Sequence, residues 1–456
     1  MTDPPCEGKS TVKRTCAVIA LIVLIPCAAA LAQAEPPAPE QAPKPWETWQ
    51  PPAVEMPDPN AFELYELAFA LYDRISKADQ PAPAPQQGGE GAVVQAPPRP
   101  EADFGRSGLL TTGELNALCE EYAPVFRLLE EAIAGETQFP PLTDPAQPMP
   151  YLAGIRQAAR MFGDRSLLRR EQGRPLEAAL DAIACIHLAA DAATQGSLIS
   201  GLVQVACSTI GEAQLREVIL LLDGTEARAA TNALRRAMAQ RVDFAEIVAG
   251  ETVVIRAFFK AIEPALGDEN EMQGIMGEET AQELLAQGLP TPETTWEQMA
   301  QFNEQATAWA RQPFWARGEK PPATPDNPLL NLLLPAYAQA SFRYAVSDAR
   351  LAVYLAAIAA QAYLGENGAY PTDLESLVPD YLPEVPRDPF VDAPLRSEFH
   401  APVTRAHPAS GHEPTGEGVL AIYSVGPDGD DDGGADIGPS VKADSDGDIA
   451  ITLAAE

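Results

Sequence analysis

A short acidic stretch near the end of the chain, YSVGPDGDDDGGADIG at residues 423–438, contains the side chains best suited to chemistry. A second acidic cluster, ADSDGD, follows at residues 443–448. Calcium binds about six to eight oxygen atoms from carboxylates and backbone carbonyls, and a glycine-rich loop can direct such groups toward one ion. We therefore predict a calcium site, for which the candidate ligands are Asp428, Asp430, Asp432, Asp436, Asp446 and Asp448.

The pattern of an EF-hand loop is only partly matched by this stretch. Asp428, Asp430 and Asp432 occupy the first, third and fifth loop positions, but Pro439 stands where a bidentate glutamate is required. In addition, a strand rather than a helix is predicted to precede the loop. The sequence therefore favours a calcium loop between two strands over an EF-hand. The remaining alternative is a solvated acidic turn.

Catalytic arrangements find little support elsewhere in the chain. The chain has four histidines and no G-x-S-x-G motif, so a hydrolase triad is not indicated. His187 lies in an alanine-rich helical stretch and is interpreted as a helix residue. His400, His407 and His412 lack the nearby cysteines that are typical of zinc sites. We therefore expect a protein that is not an enzyme.

The net charge of the chain bears on which classes of binding partner are expected. The chain has 65 acidic and 31 basic residues, for a formal net charge of −34. Nucleic acids and anionic lipid surfaces select basic proteins, so neither is an expected partner. Protein partners and divalent cations fit this charge better.

Residues 1–34 have the pattern of an export signal. A short basic start is followed by an apolar run at 16–32 and by small residues suited to cleavage. The apolar run is shorter than the about 20 residues of a membrane-spanning helix, which favours a cleaved signal over a retained anchor. A lipidated Cys27 is a third alternative. We expect export to the periplasm or cell envelope, with membrane attachment only through this segment.

Composition divides the region after the signal into a linker and a helical domain. Residues 35–59 contain nine prolines, which predict an extended linker. Residues 60–337 show helical periodicity and predict an α-helical domain of helical hairpins. A low-complexity stretch at 77–103 is interpreted as a disordered insert in that domain. Three cysteines of the helical domain are expected to be buried and unpaired: Cys119, Cys185 and Cys207.

The region 338–456 has a different pattern of predicted secondary structure. A strong helical stripe at 338–364 is followed by Gly365, which predicts the end of a long helix. Three short β-like runs then occur at 395–400, 419–425 and 448–453. The predicted fold class is therefore mainly α, with a helical-hairpin domain followed by a small α+β domain of one long helix and a short antiparallel sheet.

Several motifs of this region occur in a recognisable order. The long helix is followed by N-G-A-Y-P at 367–371, by a short leucine-bearing helix, by D-P-F at 388–390 and by Y-S-V-G-P-D-G at 423–429. In this order the motifs resemble those of the C-terminal domain of the major (G-type) pseudopilin of type II secretion systems. The resemblance covers residues 338–456 only, and the helical region before it remains unassigned.

The resemblance implies a fold that is fixed by one calcium ion in the loop after Y-S-V-G. Carried over to this chain, Asp428 is the best-placed ligand. The acidic pair that the family has before an isoleucine matches two places here, Asp432 with Asp436 or Asp446 with Asp448. We favour Asp428 and Asp432, completed by one of the later aspartates.

Only part of the function of the family is expected for this chain. Pseudopilins polymerise through an N-terminal hydrophobic helix with a processed leader, and neither feature is matched here, so polymerisation in that manner is not expected. We predict an exported, non-enzymatic envelope protein with a calcium-stabilised pseudopilin-like domain that accompanies protein secretion, with secretion-system components as partners. The alternative is a free-standing helical adaptor with a purely structural calcium site and no role in secretion.

Overall fold

The computed structural model of the protein describes residues 43–78, 104–105, 110–142, 149–317, 320–334, 337–400 and 419–454. The predicted signal at 1–34 and nearly all of the predicted insert at 77–103 lie outside these residues, as do His407 and His412. Within the described ranges, no helix combines the length and the apolar character that crossing a membrane requires.

Most of the described chain is helical, which confirms the mainly α prediction. The α-helices are α1 (Pro45–Thr48), α2 (Phe62–Ala78), α3 (Thr112–Glu121), α4 (Ala123–Ala134), α5 (Pro150–Glu171), α6 (Pro175–Ala193), α7 (Leu198–Val218), α8 (Gly224–Ala239), α9 (Phe244–Ile262), α10 (Glu269–Met276), α11 (Glu278–Gln287), α12 (Pro292–Ala310), α13 (Phe314–Arg317), α14 (Pro328–Leu333) and α15 (Tyr337–Asn367). Short 3₁₀ helices occur at Ile219–Leu221, Glu263–Ala265 and Leu374–Leu377.

Polar caps decide where several of these helices begin. The Thr111 hydroxyl accepts a hydrogen bond from the Glu114 backbone N–H, and the Glu114 carboxylate accepts one from the Thr111 N–H at 2.8 Å. Periodicity alone predicts a single helix over 224–250, and that prediction is wrong. The Asp243 carboxylate accepts from the Glu246 N–H at 2.8 Å, so a new helix begins there.

A small antiparallel sheet follows the long helix, which confirms the predicted β-like runs. Its strands are β1 (Arg396–His400), β2 (Val419–Ser424) and β3 (Ile449–Ala454), in the order β1-β2-β3. In this register Tyr423 of β2 stands between Arg396 of β1 and Ala450 of β3. Strand β2 is central and nearly all of its residues are buried, as expected for a strand with two neighbours.

The long helix α15 joins the helical region to the sheet. All residues from Leu351 to Ala360 are buried, so α15 is covered around its circumference. It contacts α7 and α8 as well as β2 and β3. One apolar core therefore spans the predicted boundary between 60–337 and 338–456. Its members include Ile186, Leu234, Ile358, Leu377 and Leu453.

Part of the predicted linker at 35–59 is folded onto the helical region, so the extended-linker prediction is wrong for that part. Trp46 of α1 is 1% exposed, and its ring centroid lies 5.6 Å from that of Phe259 and 6.1 Å from that of Trp296. Proline is compatible with the first turn of a helix, which Pro45 begins. Burial of the large indole surface outweighs the proline-rich composition.

Gly365 does not end the long helix, which continues to Asn367. Instead, Gly365 lies against Gly224 at the start of α8. A Cβ atom added at Gly365 would be 2.7 Å from the Gly224 backbone nitrogen. The glycine is therefore required by the close approach of two helices rather than by helix termination.

We expect Gly365→Ala to lower the free energy of unfolding by about 1–2 kcal/mol, because the added methyl group overpacks the contact between α8 and α15. The matched control is Gly274→Ala in α10, where an added Cβ meets nothing within 4 Å. Alanine favours a helix over glycine by about 0.5–1 kcal/mol, so the control variant should be stabilised. Urea denaturation of both variants measures the difference, and equal stabilisation of the two would contradict the assignment.

Candidate metal centre

The loop between β2 and β3 contains all six candidate ligands. Asp388 of the D-P-F motif fixes the beginning of this loop through hydrogen bonds. Asp388 Oδ1 accepts hydrogen bonds from the Phe390 N–H at 2.9 Å and the Ser424 hydroxyl at 2.8 Å. Its Oδ2 accepts from the Val425 N–H at 2.8 Å. Burial raises the pKa of Asp388, and these hydrogen bonds offset part of the rise.

The end of the same loop folds back along its middle. The Ile437 N–H donates to the Asp448 carbonyl at 2.9 Å, and the Asp448 N–H donates to the Ala435 carbonyl at 2.8 Å. Gly426, at φ +74°, comes so close to the Gly447 carbonyl that no side chain would fit at position 426. These contacts bring the second acidic cluster beside the first.

Three of the six candidates converge. Asp428, Asp432 and Asp446 each offer a carboxylate oxygen, and these oxygens all lie within 4.8 Å of one another. Oxygens about 2.4 Å from one calcium ion can be at most about 4.8 Å apart, so the spacing is compatible with shared ligation. Desolvation and the negative charges of its neighbours, Asp446 and Asp428 foremost, raise the pKa of Asp432. A divalent cation would offset this repulsion.

Asp448 supplies a buried carboxylate next to this group. Its side chain is 0% exposed, and its Oδ2 accepts from the Gly434 N–H at 2.7 Å. Its Oδ1 is buried and forms no hydrogen bond with the residues that the structure describes. Desolvation raises the pKa of Asp448 to about 6; the backbone N–H groups of Gly434 and Asp432 oppose this rise, and the negative charges of Asp432 and Asp431 add to it. An uncompensated carboxylate oxygen in a buried position is a group that a cation would stabilise.

The two other candidates do not join the cluster. Asp430 is exposed on the outer part of the loop. Asp436 forms an ion pair with Arg216 of α7 at 2.6 Å. Asp431, which was not a candidate, accepts a hydrogen bond from the Tyr423 hydroxyl at 3.0 Å and pairs with Arg396 of β1.

Two arginines on helices α7 and α15 attach the loop to the rest of the molecule. Besides the Arg216–Asp436 pair, Arg350 of α15 donates to the Pro439 carbonyl at 2.7 Å. Buried Glu212 of α7 lies 3.7 Å from Arg350 and also accepts a hydrogen bond from Ser347. Sequence reasoning missed Arg216, Arg350 and Glu212 as partners of the loop, because they lie far from it in sequence; Arg216 and Asp436, for example, are 220 positions apart.

The three cysteines that the structure describes do not form a reactive site. Cys119, Cys185 and Cys207 are buried and unpaired, as predicted. Burial raises the pKa of Cys119 to about 12, which keeps its thiol protonated. His187 lies within α6, as the sequence interpretation required.

The converging groups fit a hard cation. They are carboxylates without histidine or cysteine, the donor type that calcium prefers over zinc or copper. The loop can thus hold a cation between its two acidic clusters, while Asp388 and the β2–β3 pairing fix its ends. Comparison of the chain with protein-family models, with curated proteins and with solved structures finds no match.

Proposed function

We propose that this chain is an exported, non-enzymatic envelope protein whose C-terminal region is a pseudopilin-like domain stabilised by one calcium ion. The observation that carries the proposal is the convergence of Asp428, Asp432 and Asp446. Asp448, whose Oδ1 is buried and unpaired among the described residues, adds a carboxylate that interacts with Asp432. Carboxylates gathered at this spacing repel one another unless a cation neutralises them.

The order of elements in the C-terminal region supports the pseudopilin-like part of the proposal. Helix α15 is followed by the 3₁₀ helix Leu374–Leu377, and the antiparallel sheet packs against α15. Leu374 and Leu377 are buried in the same core as the strands. Asp388 connects the D-P-F motif to the start of the acidic loop. The D-P-F motif thus positions the start of the loop, and the leucine-bearing helix packs in the core on which the strands rest.

The proposed role of the metal is structural. An ion shared by Asp428, Asp432 and Asp446 would connect the first part of the β2–β3 loop to its end. It would thereby stabilise the pairing of the last strand with the sheet. Binding to the folded state alone raises the stability of that state. The ion has no assigned part in a reaction.

Thermal unfolding of the full chain in calcium and in chelator tests the metal site. At a free calcium concentration about 100 times Kd, binding should add about 2.7 kcal/mol to the free energy of unfolding. We therefore expect a higher melting temperature in calcium, and titration calorimetry should give one site per chain. Magnesium at the same concentration is the control, since it prefers a smaller, octahedral site. Identical melts in calcium and chelator would refute the calcium part of the proposal.

Two candidate functions follow for a protein with such a domain. The first is a role in protein secretion together with a secretion apparatus, and the second is an adaptor with no role in secretion. The burial of α15 favours the adaptor, because its stretch Leu351–Ala360 is covered by α7, α8 and the sheet and has no free face for assembly. Affinity purification of the tagged full chain from envelope extracts distinguishes the two. Enrichment of secretion-system components over an untagged control would support the first candidate, and their absence would support the adaptor.

A further inference from the structure

A cleft of about 660 Å³ lies between α9 and α12, outside the acidic loop. Its lining follows one face of each helix. Thr252 and Arg256 are four positions apart on α9. Asn303 and Thr307 are four positions apart on α12, and Arg311, which directly follows α12, continues this spacing. Residues four apart lie on the same side of a helix, so their polar groups face a common space. The volume is within the range of about 300–1,000 Å³ that small-molecule sites have.

The amide of Asn303 is the most unusual group in this lining. Asn303 is 3% exposed, and neither its Nδ2 nor its Oδ1 has a hydrogen-bond partner among the residues that the structure describes. Burial of an amide without partners is unfavourable, and such groups in folded proteins are nearly always satisfied by protein, water or ligand. The lining of the cleft therefore includes a buried donor and a buried acceptor that no described residue satisfies.

Arg256 contributes a partly buried cation to the same space. Its Nε is buried without a partner in the described part of the chain, and its guanidinium lies 5.6 Å from the centroid of the Trp296 ring. The aromatic ring orients the guanidinium but does not neutralise it. Desolvation lowers the pKa of Arg256 from its ordinary value, and an anionic partner would reverse that effect.

The charge of the lining differs from that of the whole chain. The cleft contains Arg256 and Arg311 but only one acidic residue, Glu304. Within the described ranges, neither arginine forms an ion pair with an acidic side chain. A locally cationic cleft in a chain of net charge −34 is suited to attract a small anion.

We propose that this cleft binds a small molecule in which a carboxylate stands next to an amide, the chemistry of the free C-terminal end of a peptide. A guanidinium can bind a carboxylate through two parallel hydrogen bonds, which is the role assigned to Arg256. The side-chain amide of Asn303 presents one donor and one acceptor, which together match a peptide group. This proposal is independent of the calcium site.

Saturation-transfer NMR with the full chain tests the proposal, using N-acetyl-alanyl-alanine as the probe. We expect the probe to bind, and its C-terminal amide and free acetate each to bind at least about tenfold more weakly, because each lacks one of the two recognised groups. Binding of acetate as strong as that of the probe would show a site for carboxylates only and would overturn the assigned role of Asn303. A lack of binding by all three would refute the proposal.

Substitutions of cleft residues test whether the probe binds in the cleft. Asn303→Leu and Arg256→Gln should each weaken probe binding by about tenfold or more. Arg235→Gln, on the exposed side of α8, removes the same charge outside the cleft and should leave binding unchanged. Leucine has a volume similar to that of asparagine and carries no unpaired polar group, so the melting temperature of the Asn303→Leu variant should not fall. An unchanged or higher melting temperature shows that this variant is folded. Wild-type binding in both cleft variants would overturn the location.

Discussion

The double variant Asp432→Asn/Asp446→Asn is expected to lose the calcium-dependent rise in melting temperature, while in chelator it melts at or above the temperature of the wild type. Two of the three converging carboxylates are removed, and among the residues that the structure describes neither accepts a hydrogen bond from the loop backbone. Without calcium the substitutions relieve repulsion among like charges, whereas with calcium they remove ligands. The contribution of calcium binding to the free energy of unfolding that is lost is about 2.7 kcal/mol at a free calcium concentration about 100 times Kd.

The matched control is Asp430→Asn/Asp444→Asn, which makes the same change of charge in the same loop outside the cluster. Asp430 and Asp444 are both exposed. If calcium acts only by lowering the general repulsion of the acidic loop, the control will lose its calcium response as well. We expect it to keep most of that response. Differential scanning calorimetry in calcium and in chelator measures all three proteins, and an equal loss in the two variants would contradict the assigned ligands.

Asp181→Ala is expected to lower the free energy of unfolding by about 3–5 kcal/mol, because it removes the buried carboxylate that Arg165 and Arg169 share and leaves Arg165 paired only with the half-exposed Glu130. Asp181 of α6 is 2% exposed and accepts from Arg165 Nη2 at 2.6 Å. It also pairs with Arg169 at 2.8 Å. The Arg165 guanidinium lies 3.9 Å from the ring centroid of Phe126, so it cannot move freely to solvent. The network joins α5 to α6 in the middle of the helical region.

Asp73→Ala is the matched control for this effect. Asp73 pairs with Lys77 at 3.2 Å on α2, and both side chains are mostly exposed, at 65% and 72%. Exposed pairs of this kind contribute about 0–1 kcal/mol. Urea denaturation at neutral pH measures both variants. A loss at Asp181 no larger than that at Asp73 would show that Arg165 and Arg169 find water or other partners.

The candidate site was predictable in part. Asp428 and Asp432 are close in sequence, so a turn-forming loop alone brings them near each other. Asp446 joins them only because β3 pairs with β2 and the loop end folds back on Ala435 and Ile437. The roles of Asp430 and Asp436 could not be predicted, since one faces solvent and the other pairs with a distant helix. Charge density alone does not distinguish these positions.

The sequence by itself determined the local structure: the positions of most helices and strands, the long helix before the sheet and the acidic loop. These features depend on periodicity, caps and turn residues, which act over a few positions. Only the tertiary structure decided that Trp46 belongs to a core, that Gly365 permits a helix contact and that Arg216 holds Asp436. Such contacts depend on how distant segments meet, and the burial and charge that result have no signature in any one segment.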